Sequence, residues 1–517
     1  MTKRWIRLTM GLFFWTLALQ PAFAGLALPS LFTDHMLLQM RTPLLVWGTA
    51  TPGETVEVAL FDIKKSGKAD ASGTWSVTLP PLEARADAGT LTITSGQDTK
   101  TIHDVLLGEV WVCSGQSNMQ WGVNRALNPE EEIAAANHPN LRLFQVPRLT
   151  ADTPQTAIDA QWQRCTPETI GGFSAVAYYF GRELQRMRNV PVGLIHTSWG
   201  GTPSESWTAL DELQKLEVAA PLLKRWDGLI AAYPAARQKY DRELADWQKA
   251  AEAAKAAGAE EPRRPAEPMG PHHTHRPATL YNAMIHPLLP YTIGGAIWYQ
   301  GESNAGRAYQ YRALFPTMIE NWREDWNQGK FPFLFVQLAN FEASQKAPYA
   351  SEWAELREAQ AMTLKLKNTG MAVTIDIGDP KDIHPKNKQE VGRRLALLAQ
   401  TVAYGEKDIL SNGPQFKKAR FKDGKAVLRF VHTGGGLAAK DGPLTGFGIA
   451  GADQKFVDAD AVIEGDTVRV SSPQVPKPIA VRYAWADNPA CNLCNGAGLP
   501  ASPFRTDDWP GLTIDAR

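Results

Sequence analysis

Between residues 106 and 404, unbroken apolar runs alternate with stretches in which apolar residues return every three or four positions. The runs at 109–113, 191–197, 293–299, 332–338 and 371–377 each end near Gly, Ser or Asp. Short, continuous and so punctuated, they predict strands buried on both faces. The intervening stretches predict helices; after His384, for example, Val391, Leu395, Leu398 and Val402 fall along one face. Strands and helices in alternation give the α/β class, a doubly wound parallel sheet covered by helices.

On either side the period drops to two. In residues 25–105, Val56, Val58 and Leu60 alternate with polar residues, as do Trp75, Val77 and Leu79, and Leu91 and Ile93. Pro52-Gly53, Ser72-Gly73 and Ser95-Gly96 mark turns, so this segment predicts a β-sandwich-like domain. Alternation returns within 405–517, at Ala426, Leu428 and Phe430, at Val468 and Val470, and at Val481, Tyr483 and Trp485. A C-terminal β module and tail are expected there. Residues 208–275 interrupt the α/β pattern, with 241–257 rich in Ala, Glu, Lys and Gln and 261–271 rich in Pro. The α/β domain is therefore expected to comprise 106–207 and 276–404, with 208–275 as a helical insertion near the mouth of the site.

Composition narrows the function. A chain of 517 residues with 44% hydrophobic positions is long enough for several domains. Its formal charge is +0, and nothing basic points to a nucleic-acid partner. Residues 1–24 have the form of an export signal: Lys3, Arg4 and Arg7, an apolar run at 8–19, then Ala22-Phe23-Ala24. Without the three cations of that segment the chain carries 51 basic against 54 acidic residues. The apolar run is short for a membrane span, so a periplasmic or secreted protein is expected, with no membrane association after cleavage. Cys491-x-x-Cys494 allows a small closed loop or a metal contact, a structural role being favoured; Cys113 reads as a buried hydrophobe. His272, His273 and His275 have no carboxylate cluster nearby, so neither metal nor other cofactor is expected and activity should survive EDTA.

The chemistry-bearing residues sit at the strand ends, where open α/β sheets bind ligands. Gly115-Gln116-Ser117-Asn118-Met119 follows the strand at 109–113 and offers Ser117 as a nucleophile on a sharp turn. Asp382-Ile383-His384-Pro385 offers His384 as base and Asp382 to orient it. Side chains two apart in an extended segment point the same way, and Pro385 disfavours helix at His384. A histidine of ordinary basicity would make the rate rise near about pH 6–7. For the oxyanion, the Ser117 N–H, the turn at Gly200-Gly201 and an amide side chain at Gln300 or Asn304 are the candidates.

Taken together, Cys113–Met119 (CSGQSNM), residues 297–304 (IWYQGESN) and Asp382-Ile383-His384-Pro385 resemble the sialate O-acetylesterases of the SGNH hydrolase superfamily. Residues 28–39, 191–207, 280–290 and 496–506 resemble the same family, so the similarity spans almost the whole mature chain. The resemblance implies an SGNH-type sheet, Ser117 as nucleophile and His384 as base. Superfamily members commonly carry the acid three residues before the histidine; here Asp382 is two before, leaving Asp379, or a backbone carbonyl assisting a Ser–His dyad, as alternatives. The Gly-x-Asn-Asp block is represented by Gly301-Glu302-Ser303-Asn304, which leaves the side-chain oxyanion donor open between Asn304 and Gln300. Gln116, Gly200, Gly201, Gln300, Glu302 and Asn304 form the candidate oxyanion and substrate-binding set, with Glu302 a second acid or a hydrogen-bonding support for a neighbouring loop. The partner expected is an acetylated glycan, sialic acid or an acetylated xylan or other plant polysaccharide. Trp121, Trp199, Trp207 and Trp298, close to the motif loops, suit stacking on sugar rings, with core packing the alternative for each one. A non-catalytic glycan-binding protein is the rival from another class; oligomeric state is not legible.

Overall fold

A computed structural model describes residues 25–344 and 350–516. The export signal read at 1–24 lies outside the described residues.

One strand, Asp98–Gly115, belongs to two parts of the molecule. Its first half pairs antiparallel with Arg85–Ser95, which pairs in turn with Thr55–Leu60 and, beyond it, Ile63–Lys68. Leu44–Thr49 pairs antiparallel with Thr74–Leu79 as a separate two-stranded sheet. The second half of Asp98–Gly115 is the centre of the parallel sheet. The order there is Thr369–Ala372, Phe333–Val336, Gly295–Tyr299, Asp98–Gly115, Val192–Ser198, His138–Gln145, with Trp162–Cys165 antiparallel at the edge. The boundary expected at 105/106 thus falls inside a continuous strand. Val105, Leu106 and Leu107 are buried, and apolar residues from both halves share one core, so no polar linker separates them.

The expected α/β class is found, and all five strands predicted from apolar runs are present. His138–Gln145 and Trp162–Cys165 lack such a run and carry no comparable sequence signal. Helices cover both faces, as the pleat requires. Trp111 points to one face, where it meets Phe180 of Ala175–Arg188 edge-on at 5.0 Å. Trp298, opposite Ser114 in the register, points to the other and stacks on Phe315 of Ala308–Trp326. Lys388–Val402 lies against Ala175–Arg188 so closely that a Cβ at Gly392 would come 2.6 Å from the Phe180 nitrogen. Its start is fixed by Asn387, whose side chain accepts the Glu390 N–H at 3.1 Å.

The C-terminal strands form two four-stranded sheets and a two-stranded one, Leu437–Ala439 with Leu493–Asn495, around a separate core that includes Leu428, Ile449, Val468, Tyr483 and Phe504. Arg357, fully buried on Glu352–Met362, ties that module to the parallel sheet. It donates to the carbonyls of Leu338, Ala339, Ala486 and Asp487 at 2.7–2.8 Å.

The insertion is dominated by one 37-residue helix, Ala220–Ala256, which begins about twenty residues before the predicted stretch. Leu213 and Ala219 at its base pack on Leu314. The Pro-rich return runs back along the helix, with Trp247 donating to the Pro262 carbonyl at 2.7 Å. It then reaches residues 150–155: Thr150 Oγ1 donates to the His272 carbonyl at 3.3 Å, and Arg276 pairs with Asp152 at 2.5 Å.

Candidate active site

Ser117 opens the short helix Ser117–Gln120 two residues past Gly115, the last residue of the central strand. The turn requires that glycine. Its φ is +141°, and a Cβ there would lie 2.1 Å from the Tyr299 carbonyl oxygen. The same carbonyl accepts the Gln116 N–H at 3.0 Å, while Gly115 accepts the Trp199 N–H at 3.1 Å. Both neighbouring strands therefore fix where the serine emerges.

His384 arrives from the segment joining Thr369–Ala372 to Lys388–Val402. Asp382 Oδ1 accepts from both the His384 backbone N–H, at 2.8 Å, and Nδ1, at 3.2 Å. That contact fixes the tautomer with the proton on Nδ1 and leaves Nε2 free to accept one. Asp379 instead accepts the Lys381 N–H at 2.8 Å. Of the two acids considered, Asp382 is the one in contact with the imidazole. Ser117 and His384 line one cavity of about 620 Å³, with Trp121, Asn124, Arg125 and Arg148 on its walls. Burial holds His384 below the ordinary histidine value, helped by the positive charges of Lys388 and Arg125 and opposed by Asp382. This departs from the unperturbed histidine expected from sequence.

The glycine turn comes close, as expected: a Cβ at Gly200 would lie 3.2 Å from Ser117 Cβ. The Gly200 N–H is hydrogen-bonded to Gln120 Oε1 at 2.6 Å, so an incoming carbonyl oxygen must compete with that side chain. Gly201 supplies the left-handed turn, φ +75°. The amide candidates face elsewhere. Gln300 Nε2 donates to Asn304 Oδ1 at 2.6 Å and its Oε1 accepts from Tyr311 at 3.0 Å. Asn304 also accepts from the Ser204 N–H and donates to Glu205, which pairs with Arg307. Both amides are fully buried in this network, which locks the 200–207 loop to the 300–307 loop; neither lines the cavity. Gln116 does similar work, its Oε1 accepting from Gly301 and Ser303 at 3.4 and 3.3 Å.

Glu302 supports a loop. Asn118 Nδ2 donates to Glu302 Oε1 at 2.6 Å and to the Ile383 carbonyl at 3.0 Å, while its Oδ1 accepts from Lys388 Nζ at 2.5 Å. One asparagine thus joins the serine turn, the 301–304 loop and the histidine segment. Burial raises the Glu302 carboxyl above its ordinary value and pushes the Lys388 ammonium down to about 7. Asn118 stood in the motif, but its role depends on partners 184 and 270 residues away.

Sequence reasoning also missed Gln120, Asn124, Arg125 and Arg148, which line the cavity without any local motif, and gave no role to the lining residues His196 and Ser198 of the 191–207 stretch. The four tryptophans divide. Trp121 lies on the cavity wall, and Trp199 beneath Arg148 at 5.9 Å. Trp207 and Trp298 are fully buried against each other, edge to face at 6.0 Å, and serve the core. His273 Nδ1 accepts the His275 N–H at 3.1 Å, and no metal-type cluster of His, Cys, Asp or Glu occurs among the described residues. Cys113, Cys165, Cys491 and Cys494 are all free thiols, so Cys491 and Cys494 close no loop.

Comparison with known proteins agrees with this architecture. Residues 271–401 match the family model described as carbohydrate esterase, sialic acid-specific acetylesterase. The human sialate O-acetylesterase is 31% identical over 554 residues, covering 98% of this chain and 97% of that protein. The mouse sialate O-acetylesterase is 32% identical over 450 residues, 79% of each. Among solved structures, a carbohydrate acetylesterase from Xanthomonas citri superposes with a TM-score of 0.79 at 39% identity, covering 94% of this chain and 100% of that one.

Proposed function

Since the chain belongs to the sialate O-acetylesterase family, we propose that it removes O-acetyl groups from glycans through an acetyl-enzyme on Ser117. The observation that carries this reading is the lining of one cavity by Ser117 and by His384, whose Nδ1 contacts Asp382.

Ser117 Oγ attacks the acetyl carbonyl carbon as His384 Nε2 takes its proton. The Asp382 carboxylate faces the resulting imidazolium through Nδ1 and stabilises it. The tetrahedral oxyanion is received by the Ser117 N–H and by the Gly200 N–H, released from Gln120; each such donor contributes about 3–4 kcal/mol to the transition state in comparable sites. The intermediate collapses, the C–O bond to the sugar breaks, and the alkoxide takes the proton from His384. Water, giving a proton to the same imidazole, then attacks the acetyl-Ser117 ester; the bond to Oγ breaks, His384 returns the proton to Ser117 Oγ, and acetate leaves. The walls suit a sugar, with Asn124 offering a side chain able to bond hydroxyls.

The reading extends to export, because residues 1–24 carry the charge, apolar run and small-x-small end of a leader. Sequencing the N-terminus of periplasmic or secreted protein should find Gly25; retention of Met1 would refute it.

Acetate release from O-acetylated sialosides, acetylated xylo-oligosaccharides and 4-nitrophenyl acetate tests the activity. Release from at least one acetylated glycan is expected, lost in Ser117→Ala. A protein that binds such glycans but releases acetate from none would be a glycan-binding protein.

A further inference from the structure

The cavity contains a second serine–histidine pair. His196 Nε2 lies 2.5 Å from Ser198 Oγ, and His196 Nδ1 lies 2.7 Å from Gln145 Oε1. Both His196 and Ser198 are at least 98% buried, yet both line the cavity that holds Ser117. They occupy the end of Val192–Ser198, with Ser198 beside Gly115 in the register.

The proton positions in this chain follow from its far end. Gln145 Nε2 donates to the Val146 carbonyl at 3.2 Å, which turns Oε1 toward His196. A carboxamide oxygen can only accept, so Nδ1 carries the proton. Burial, reinforced by Arg148, pushes the imidazole down to about 3, so the ring is neutral and Nε2 is an acceptor. Ser198 must then donate its hydroxyl proton to Nε2. Phe173 closes the ring's edge at 5.3 Å. The lone pairs of Ser198 Oγ are what this arrangement leaves for a ligand.

We propose that Ser198, held by His196 and Gln145, is a substrate-binding subsite that accepts a hydrogen bond from a hydroxyl or amide N–H of the sugar bearing the ester. The inference rests on the glycan reading of the Ser117 site and deepens it. Ser198 sets which sugar, and which edge of it, faces the nucleophile. It is not a second nucleophile, because His196 Nδ1 faces the neutral carboxamide of Gln145 rather than a carboxylate, so the imidazolium formed by taking the serine's proton would be a buried, unpaired charge. A neutral acceptor discriminates by donor geometry, since a ligand without the donor leaves the buried oxygen unpaired.

Steady-state kinetics of Ser198→Ala, on mono-O-acetylated methyl hexosides and on analogues with each free hydroxyl in turn replaced by hydrogen, tests this. On the parent ester the substitution should cost about five- to tenfold in kcat/KM, mostly in KM, as for one neutral hydrogen bond. On one deoxy analogue the cost should shrink to less than about twofold. Ser198→Thr, which keeps the hydroxyl, should recover most of the loss. Equal losses on parent and all analogues, no loss on any, or failure of Ser198→Thr to rescue at unchanged melting temperature would overturn the subsite. Calorimetric titration of the deacetylated hexoside into Ser117→Ala and Ser117→Ala/Ser198→Ala reads the subsite without turnover. Weaker binding in the double variant is expected, and equal binding would refute it. Absence of acetate release by the wild type would instead count against the esterase reading.

Discussion

The indole of Trp121 is stacked on the imidazole of His384, ring centroids 4.7 Å apart and planes 14° from parallel. Trp121 is fixed in turn: its Nε1 donates to the Arg125 carbonyl at 2.9 Å, and the Arg125 guanidinium lies 5.3 Å from its ring. The base is thereby held in orientation and partly removed from water, which favours its neutral, proton-accepting form. Because His384 is depressed below the ordinary histidine value, kcat/KM should reach its plateau at a pH below that value and fall as His384 protonates. Trp121→Ala should move that acidic limb upward, toward about pH 6.5, and lower kcat. A pH profile unchanged by the substitution would show that the stack does not set the basicity.

His384→Ala should be nearly as damaging as loss of the nucleophile. Asp382→Asn should cost about 10²–10⁴-fold in kcat, since the acid fixes the Nδ1 proton. Asp379→Asn should cost much less, because that carboxylate bonds the Lys381 N–H rather than the ring. A larger loss for Asp379→Asn than for Asp382→Asn would reverse the assignment.

Lys388 links catalysis to stability. Its ammonium is fully buried against Asn118 and depressed to about 7, against about 10.4 in an unfolded chain. Between those values the unfolded state binds more protons, so this group makes stability rise with pH across that window. Denaturant titrations of Lys388→Met should show a shallower rise there. The same variant should lower kcat, because Asn118 loses the partner that steadies its bond to the Ile383 carbonyl. Unaltered pH slope and kcat would mean the network is only packing.

The insertion rests on the 150–155 segment, which continues from the cavity residues Pro147 and Arg148. Replacing residues 228–269 with a Gly/Ser linker keeps both anchors, the Leu213–Leu314 cluster and the His272–Arg276 contacts. Hydrolysis of 4-nitrophenyl acetate should persist while that of acetylated oligosaccharides weakens. Equal loss on both by a folded variant would make the insertion part of the catalytic core.

The apolar runs announced the parallel strands, because a strand buried on both faces has no polar positions to interrupt it. His138–Gln145 escaped because its hydrophobic residues, Leu141, Leu143 and Phe144, are interrupted by Arg142, which is buried among them. That Ser117 and His384 share a cavity, with Asp382 on the imidazole, was legible because the turn needs Gly115 and the acid and base are neighbours in sequence. Gln300 and Asn304 were alternative candidates for the side-chain oxyanion donor from their positions after a strand, yet both amides serve a buried loop network. Partner choice of that kind is set by loop packing, which leaves no periodic trace. The Gln145–His196–Ser198 chain was invisible for the same reason, since it joins two strands 51 residues apart.

The proposed mechanism requires Ser117 to form the acetyl-enzyme. Turnover of one acetylated glycan by wild type and Ser117→Ala, at matched melting temperature, tests it most directly. A fall in kcat of at least about 10³-fold is expected. A variant retaining more than about a tenth of wild-type kcat would contradict it.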